Sequence, residues 1–505
     1  MTFEIKKTDG KARNCILNLP NGFVETPVFM PVGTQGTVKA MFTEKLDEIG
    51  FKIILANTYH MFLRPGCEVL DNFGGLNNFM QWDKPLLTDS GGFQIMSLSK
   101  LTKIENDGVY FQSHIDGKRF FLTPKLSMDI QNSIGSDIQM VLDQCVEYNT
   151  DEEKIKNAMS LSLKWAELSK KSFSKKNKRK LFGIVQGGIN PDLRKHSAEE
   201  TIKIGFDGYA IGGLAVGEGH KLMVQTLDNT IPFLPKNKPR YLMGVGTPLD
   251  LVESVRRGVD MFDCVMPTRA GRHGLAYTCN GNINIRNSKY SNDNKPIDPF
   301  SKCPITSKYS RAYLHHLFKA KELLGSMILT YINLRYYDDL MIKLRKAIRD
   351  QKYDEIANQI YEKWDKKENI DLLPKFYNNI IEVDFEEFKE KVYENNLRFA
   401  NETVDSLLSG DIYILKNAFT NEYIDKIKKQ TILNWKNIKS EFHKIYDGCP
   451  NFYRDIDTSL SNKYAFKQIK KTQYFFPWNQ DYLNLYEEIY KRWRVLKYLS
   501  GFYEN

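Results

Sequence analysis

Three aspartates sit at like positions in this 505-residue chain. Asp89 follows Pro85-Leu86-Leu87-Thr88, Asp143 follows Gln139-Met140-Val141-Leu142, and Asp263 follows Val259-Asp260-Met261-Phe262. Other apolar runs end the same way. Asn57 follows Ile53-Ile54-Leu55-Ala56, and Gln186 follows Leu181-Phe182-Gly183-Ile184-Val185. Gly212 and Gly213 follow Tyr209-Ala210-Ile211, and Gly244 follows Tyr241-Leu242-Met243. A single aspartate or glycine in such a place simply starts a turn. Three carboxylates and two amides at the ends of one set of strands describe a polar pocket. Paired carboxylates do acid/base work and nucleophilic displacement at a sugar carbon, the chemistry of glycosidic bonds. On these residues alone, a glycosidase that hydrolyses a sugar bond is one reading.

Elements that position such a pocket are visible in the apolar pattern. Short continuous apolar runs suit buried parallel strands. Between them lie helical patterns at 151–175, 192–204, 221–231 and 248–257. Alternating strands and helices imply an α/β fold with a parallel sheet. A barrel would gather the strand C-termini on one face. The stretch 309–366 is helical in pattern, and 367–402 is charged and reads as a linker with a helix in it. Residues 403–505 are rich in lysine and aromatics, and read as a small α+β extension of unassigned function.

Composition sets the class. With 42% hydrophobic residues the chain can bury a core, so global disorder is excluded. A net charge of +10 suits a polyanionic partner, although a lysine-rich composition alone produces the same excess. Seven scattered cysteines without a CxxC pair argue against a disulfide framework. The N-terminus lacks the apolar stretch of a signal peptide, and no run reaches the length of a membrane span. A cytoplasmic protein is expected.

Six blocks resemble a known family. TDSGGFQ (88–94), LDQC (142–145), GIVQGG (183–188), YAIGGLAVGE (209–218), RYLMGVGTP (240–248) and MFDCVMPTRAGRHG (261–274) are similar to signature segments of the tRNA-guanine transglycosylases. They occur in that family's order over roughly residues 3–366. The resemblance implies a (β/α)8 barrel of TIM type with a helical C-terminal subdomain at about 275–366. It implies a base-exchange reaction through a covalent aspartyl intermediate. Asp263 would be the nucleophile and Asp89 the general acid/base. A nucleophile must be ionised, so a nearby cation or hydrogen-bond donor is expected to lower its pKa. Asp143, Ser90, Gln186 and the Gly213 N–H would read the edge of a flipped guanine, between Phe93 and Met243. Glu218 and the Leu214 carbonyl would accept from the aminomethyl group of 7-aminomethyl-7-deazaguanine, and Cys145 and Val216 look bacterial. Arg269 and Arg272 would contact RNA. The implied partner is a tRNA with a GUN anticodon, with guanine or a 7-deazaguanine as free base. The family's homodimer is also implied.

One feature of that family is missing. Its structural zinc is held by three cysteines and a histidine, which here fall on Ser301, Cys303, Thr306 and Ile332. Zinc needs about four nitrogen or sulfur donors, so no metal and no other cofactor is expected. Packing must then replace the metal, and the extension is one source of it. The loss of this region opens two alternatives: a DNA-modifying relative with the same chemistry, and a non-catalytic nucleic-acid-binding paralogue. Retention of all three aspartates argues against the second.

Overall fold

The computed structural model describes residues 3–364 except 99–101, 149, 175–177 and 302, together with 380–393, 399, 403 and 412–416. Its centre is a ring of parallel strands. In chain order these are Val28–Met30 with Val32–Gly33, Ile54–Ala56, Leu86–Thr88, Ile138–Met140, Lys180–Val185, Gly208–Ile211, Arg240–Leu242 and Met261–Asp263. Sequential neighbours pair throughout. Met261–Asp263 pairs with Val28–Met30, while Val32–Gly33 pairs with Ile54–Ala56. Only Pro31 separates these two short pieces. Proline gives no N–H to a ladder, and the segment changes partner there. The sheet thereby closes into a barrel of eight strand positions.

Sequence explains the ring locally. Most strand residues are buried, as a sheet covered on both faces requires. Large and small residues alternate between neighbours: a Cβ on Gly208 would lie 2.4 Å from the Phe182 ring. The outer helices Glu152–Ser172, Pro191–Ile204, Gly219–Thr230 and Pro248–Arg256 match the expected spans within a few residues. Three have side-chain caps at their first turn, from Asp151, Asn190 and Thr247. Thr247 and Asp250 form a reciprocal capping box.

A three-stranded antiparallel sheet, Phe3–Asp9, Ala12–Leu19 and Gly22–Thr26, lies outside what the apolar pattern predicts. It packs on the N-terminal ends of the barrel strands. Asn21 N–H donates to Asp137, just before Ile138–Met140. Arg13 donates to both oxygens of Asp260, just before Met261–Asp263. A second such sheet, Thr102–Glu105, Gly108–Gln112 and Arg119–Leu122, is inserted after Leu86–Thr88, on the C-terminal side.

The region 309–366 is helical as expected, in Arg311–Lys319, Leu323–Arg349 and Tyr353–Trp364. The 27-residue helix Leu323–Arg349 buttresses the site. A Cβ on Gly271 would lie 2.7 Å from its Thr330 nitrogen, so this close crossing admits only glycine. Asn333 donates to the carbonyls of Pro267 and Leu275 and accepts from Tyr277 N–H. Tyr337 donates to the Gly246 carbonyl at 2.9 Å.

The chain divides into two compact units, 1–372 and 373–505. In the second, Ile380–Asp384 and Ile412–Lys416 pair in parallel, and Phe385–Tyr393 is helical. The stretch that reads as a linker thus supplies a strand and the expected helix to a unit shared with the extension. Most of 403–505 lies outside the described residues.

Asp260 is fully buried and accepts from Arg13 and from Arg240 N–H at 2.7 Å. Removing one partner of a buried ion pair leaves the other charge uncompensated. Asp260→Ala is expected to destabilise the fold by about 3–5 kcal/mol, read from the urea unfolding midpoint.

Candidate active site

All three aspartates lie at C-terminal ends of barrel strands, each held by a different donor set. Asp89 directly follows Leu86–Thr88 and is buried. Its carboxylate accepts from Asn57 Nδ2 at 2.5 Å and from Thr58 N–H at 2.7 Å. The Thr58 hydroxyl closes the contact by donating to the Asp89 carbonyl. Asn57 and Thr58 come from the end of the adjacent strand, so parallel pairing sets this geometry. Burial pushes the Asp89 carboxyl up to about 6, against the pull of Asn57 and Thr58, and the charge of Asp263 adds to the rise.

Asp263 ends Met261–Asp263. One oxygen, Oδ1, accepts from the Tyr241 hydroxyl at 2.5 Å and from Gly244 N–H at 2.8 Å. They are donors of the kind expected beside Asp263. They do not win, however. Burial outweighs them, and the Asp263 carboxyl sits above its ordinary value rather than below it.

Asp143 is buried and accepts from Ser90 Oγ at 3.1 Å and from Gln186 Nε2 at 2.7 Å. Burial raises its pKa against those two donors. Gln186 therefore spends one amide proton on Asp143 and keeps one. Gly213 packs directly on Gln186: a Cβ there would lie 2.5 Å from Oε1, and its φ of +66° suits glycine. The Cys145 thiol lies against Gly213 and Asp143, and burial pushes it up to about 12, so it stays protonated.

The remaining expected residues lie on the segments that follow these strands. Phe93 is 53% exposed on the helix Gly92–Leu98, and Met243 is partly buried just after Arg240–Leu242. Phe93, Cys145 and Val216 line a cleft of about 1110 Å³. Leu214 and Glu218 are buried. Glu218 turns onto its own loop, accepting from Ala215 N–H at 2.6 Å and Val216 N–H at 2.9 Å. Arg269 and Arg272 occupy the last turn of Met266–Arg272 and make no ion pair among the described residues. Nη1 of Arg272 is buried without a partner there.

Two contributors, Tyr241 and Arg194, escape the sequence reading, and Asn57 is read only in part. Asn57 reads there only as a polar strand end, and Tyr241 only as part of an apolar strand. A tyrosine in a continuous buried strand needs a partner for its hydroxyl, so the sequence does carry a signal for it. Arg194 gives no signal beyond its place in a helix.

Comparison with known proteins is decisive for kinship. A profile of the family described as queuine tRNA-ribosyltransferase matches residues 8–366. The chain belongs to this family. A queuine tRNA-ribosyltransferase of Mesorhizobium japonicum is 52% identical over 363 residues, covering 72% of this chain and 96% of that protein. One from Buchnera aphidicola is 52% identical over 367 residues, with 72% and 99% covered. One from Thermoanaerobacter is 51% identical over 368, with 72% and 98% covered. The family match stops at residue 366.

The residues at the family's zinc positions do not fit a metal. Ile332 has no donor atom and packs in an apolar cluster with Ala276, Ile285, Ile297, Leu314 and Leu329. Thr306 Oγ1 is buried and has no partner among the described residues, and Cys303 is buried in the main core. His315 is turned to the Ile285 carbonyl, 2.8 Å away. No cluster of three or more potential metal ligands occurs among the described residues.

The raised pKa of Asp89 carries a stability signature. Its protonated form favours folding, fully below the ordinary carboxylate pKa, and that contribution is lost as pH rises through about 6. Asp89→Asn does not titrate. Its melting temperature should rise relative to wild type between pH 4 and pH 7, and a constant difference would contradict the assignment.

Proposed function

We propose that this protein exchanges guanine at the wobble position of tRNAs with a GUN anticodon for 7-aminomethyl-7-deazaguanine. The observation that carries this reading is a pair of desolvated carboxylates with different donors on one barrel face. Asp89, pushed up to about 6, suits proton transfer in both directions at neutral pH. Asp263 has one oxygen tied to Tyr241 and Gly244, which leaves Oδ2 for attack.

In the first displacement, Oδ2 of Asp263 attacks C1′ of the ribose and the C1′–N9 bond breaks. Asp89 donates a proton to the departing guanine. In the second, Asp89 takes the N9 proton of the incoming base, N9 attacks C1′, and the Asp263 ester bond breaks. Asp143 accepts from N1–H and the exocyclic amine, while Gln186 and Gly213 N–H face the base carbonyl oxygen. Phe93 and Met243 bound the faces of the purine. The Leu214 carbonyl and the unused lone pairs of Glu218 receive the aminomethyl ammonium. Arg269 and Arg272, lacking carboxylate partners among the described residues, suit the phosphates beside the reactive nucleotide. With too few donors at the family's zinc positions, this reading includes no zinc, and apolar packing around Ile332 supports the region instead.

Incubation with radiolabelled guanine and unmodified tRNA tests this reading. Wild type should label tRNA, and Asp263→Ala should fall by roughly a thousandfold or more. Labelling of duplex DNA instead would overturn the substrate, and labelling of neither would overturn the activity. Tyr241→Phe removes one donor to a charged group. It should cost roughly 10- to 100-fold in kcat/KM and move the acidic limb of the pH profile upward. A chelator such as EDTA should leave both activity and melting temperature unchanged, whereas a zinc-dependent fold would lose stability.

A further inference from the structure

Arg194 lies in Pro191–Ile204 and is 0% exposed. Among the described residues no carboxylate pairs with it. Its guanidinium instead donates to three backbone carbonyls: Nε to Gly188 at 2.6 Å, Nη1 to Val185 at 2.9 Å and Nη2 to Gly213 at 3.5 Å. Val185 directly precedes Gln186, and Gly188 closes the turn after it. Gly213 belongs to the next strand's turn. One planar fork thus ties together the two turns that carry the amide and the backbone N–H at the edge of the base site.

The energetics single this residue out. Burying a cation without a counter-ion costs several kcal/mol, and burial pulls Arg194 down to about 10, with Cys145 and Glu218 opposing. It remains charged at neutral pH. An apolar side chain would fill the same space at lower cost, so its value lies in the carbonyls it holds. The turn is shaped around the same residue. A Cβ on Gly187 would lie 2.9 Å from the Arg194 nitrogen, and Gly187 has a φ of +129°. Asn190 caps the helix start by accepting from Asp192 and Leu193, and Ser197 receives Gln186 N–H at 3.0 Å. The helix start and the Gln186 turn form one hydrogen-bonded unit, with Arg194 reaching across to Gly213.

We infer that Arg194 is a positioning residue for the base: it aligns the Gln186 and Gly213 turns, and so governs recognition of the purine edge, free or flipped out of the RNA, rather than of the phosphates. This rests on the base-exchange reading. Arg194 touches neither Asp89 nor Asp263, so chemistry at the sugar is left in place once a base is bound. A lysine in its place keeps the charge but loses the fork.

Arg194→Lys and Arg194→Gln would be compared with wild type in guanine exchange; the glutamine variant removes the buried charge and keeps an amide donor. Both should raise the KM for guanine about tenfold or more, and the KM for tRNA as well because its flipped guanine uses the same edge, with kcat at saturation within roughly threefold. Guanine binding by calorimetry, without nucleic acid, should weaken by the same factor. An unchanged guanine KM and affinity overturns the inference. So does a loss of kcat in parallel with the melting temperature, which marks a purely structural residue. If wild type binds guanine but exchanges nothing, the proposed function fails, and the calorimetric comparison still decides the role of Arg194.

Discussion

Closure of the parallel sheet at Pro31 is the constraint on which the rest depends. Residues 28–30 must pair with the last strand and 32–33 with the second, in registers that set Asp263 beside Met30 and Ala56 beside Thr88. Parallel pairing then sends every strand C-terminus to the same face. A slip of one residue would turn each side chain to the opposite surface of its strand. The closing seam is held from below by Asp260, whose carboxylate joins Arg13 of the N-terminal sheet to the backbone of Arg240. It is held from outside by Arg345, which donates to the Pro27 carbonyl at 2.8 Å.

Within that face, neutral donors rather than cations surround the carboxylates. Asp89 has an amide and an N–H, Asp263 a phenol and an N–H, Asp143 a hydroxyl and an amide. A buried carboxylate beside an arginine would be held ionised. Neutral donors offset only part of the desolvation, which leaves all three pKa values raised. Asp89, with the charge of Asp263 added, reaches the range where a carboxyl can both give and take a proton at neutral pH. The cations serve elsewhere: Arg194 holds backbone carbonyls, and Arg269 and Arg272 stand past Asp263.

The region after the barrel shows how a fold absorbs the loss of ligand types. Ile332 sits 3% exposed among aliphatic neighbours where the family resemblance expects a metal-binding histidine. The same helix carries Thr330, Asn333 and Tyr337, which brace the segments after Asp263 and Met243. Packing in this helix therefore bears directly on the site. A hydrophobic cluster can hold it in register because dispersion and burial are non-directional, whereas a metal requires a complete ligand set.

Much of the barrel and its site is legible in the amino-acid sequence. Continuous apolar runs ending in Asn57, Asp89, Asp143, Gln186 and Asp263 mark buried strands and their functional ends, because a covered parallel strand leaves polar residues only at its termini. The absence of ligand types at Ser301, Thr306 and Ile332 is equally plain, since chemistry at a position is a property of the residue itself. Relations between distant segments are decided only by the tertiary structure. The antiparallel N-terminal sheet, the closing pairing at Pro31, the Tyr241 hydroxyl on Asp263 and the reach of Arg194 to Gly213 arise from register and packing across tens to hundreds of residues. So does the sign of the Asp263 shift: a donor beside this carboxylate can be anticipated from its chemistry, but burial is set by the assembled barrel, and burial prevails.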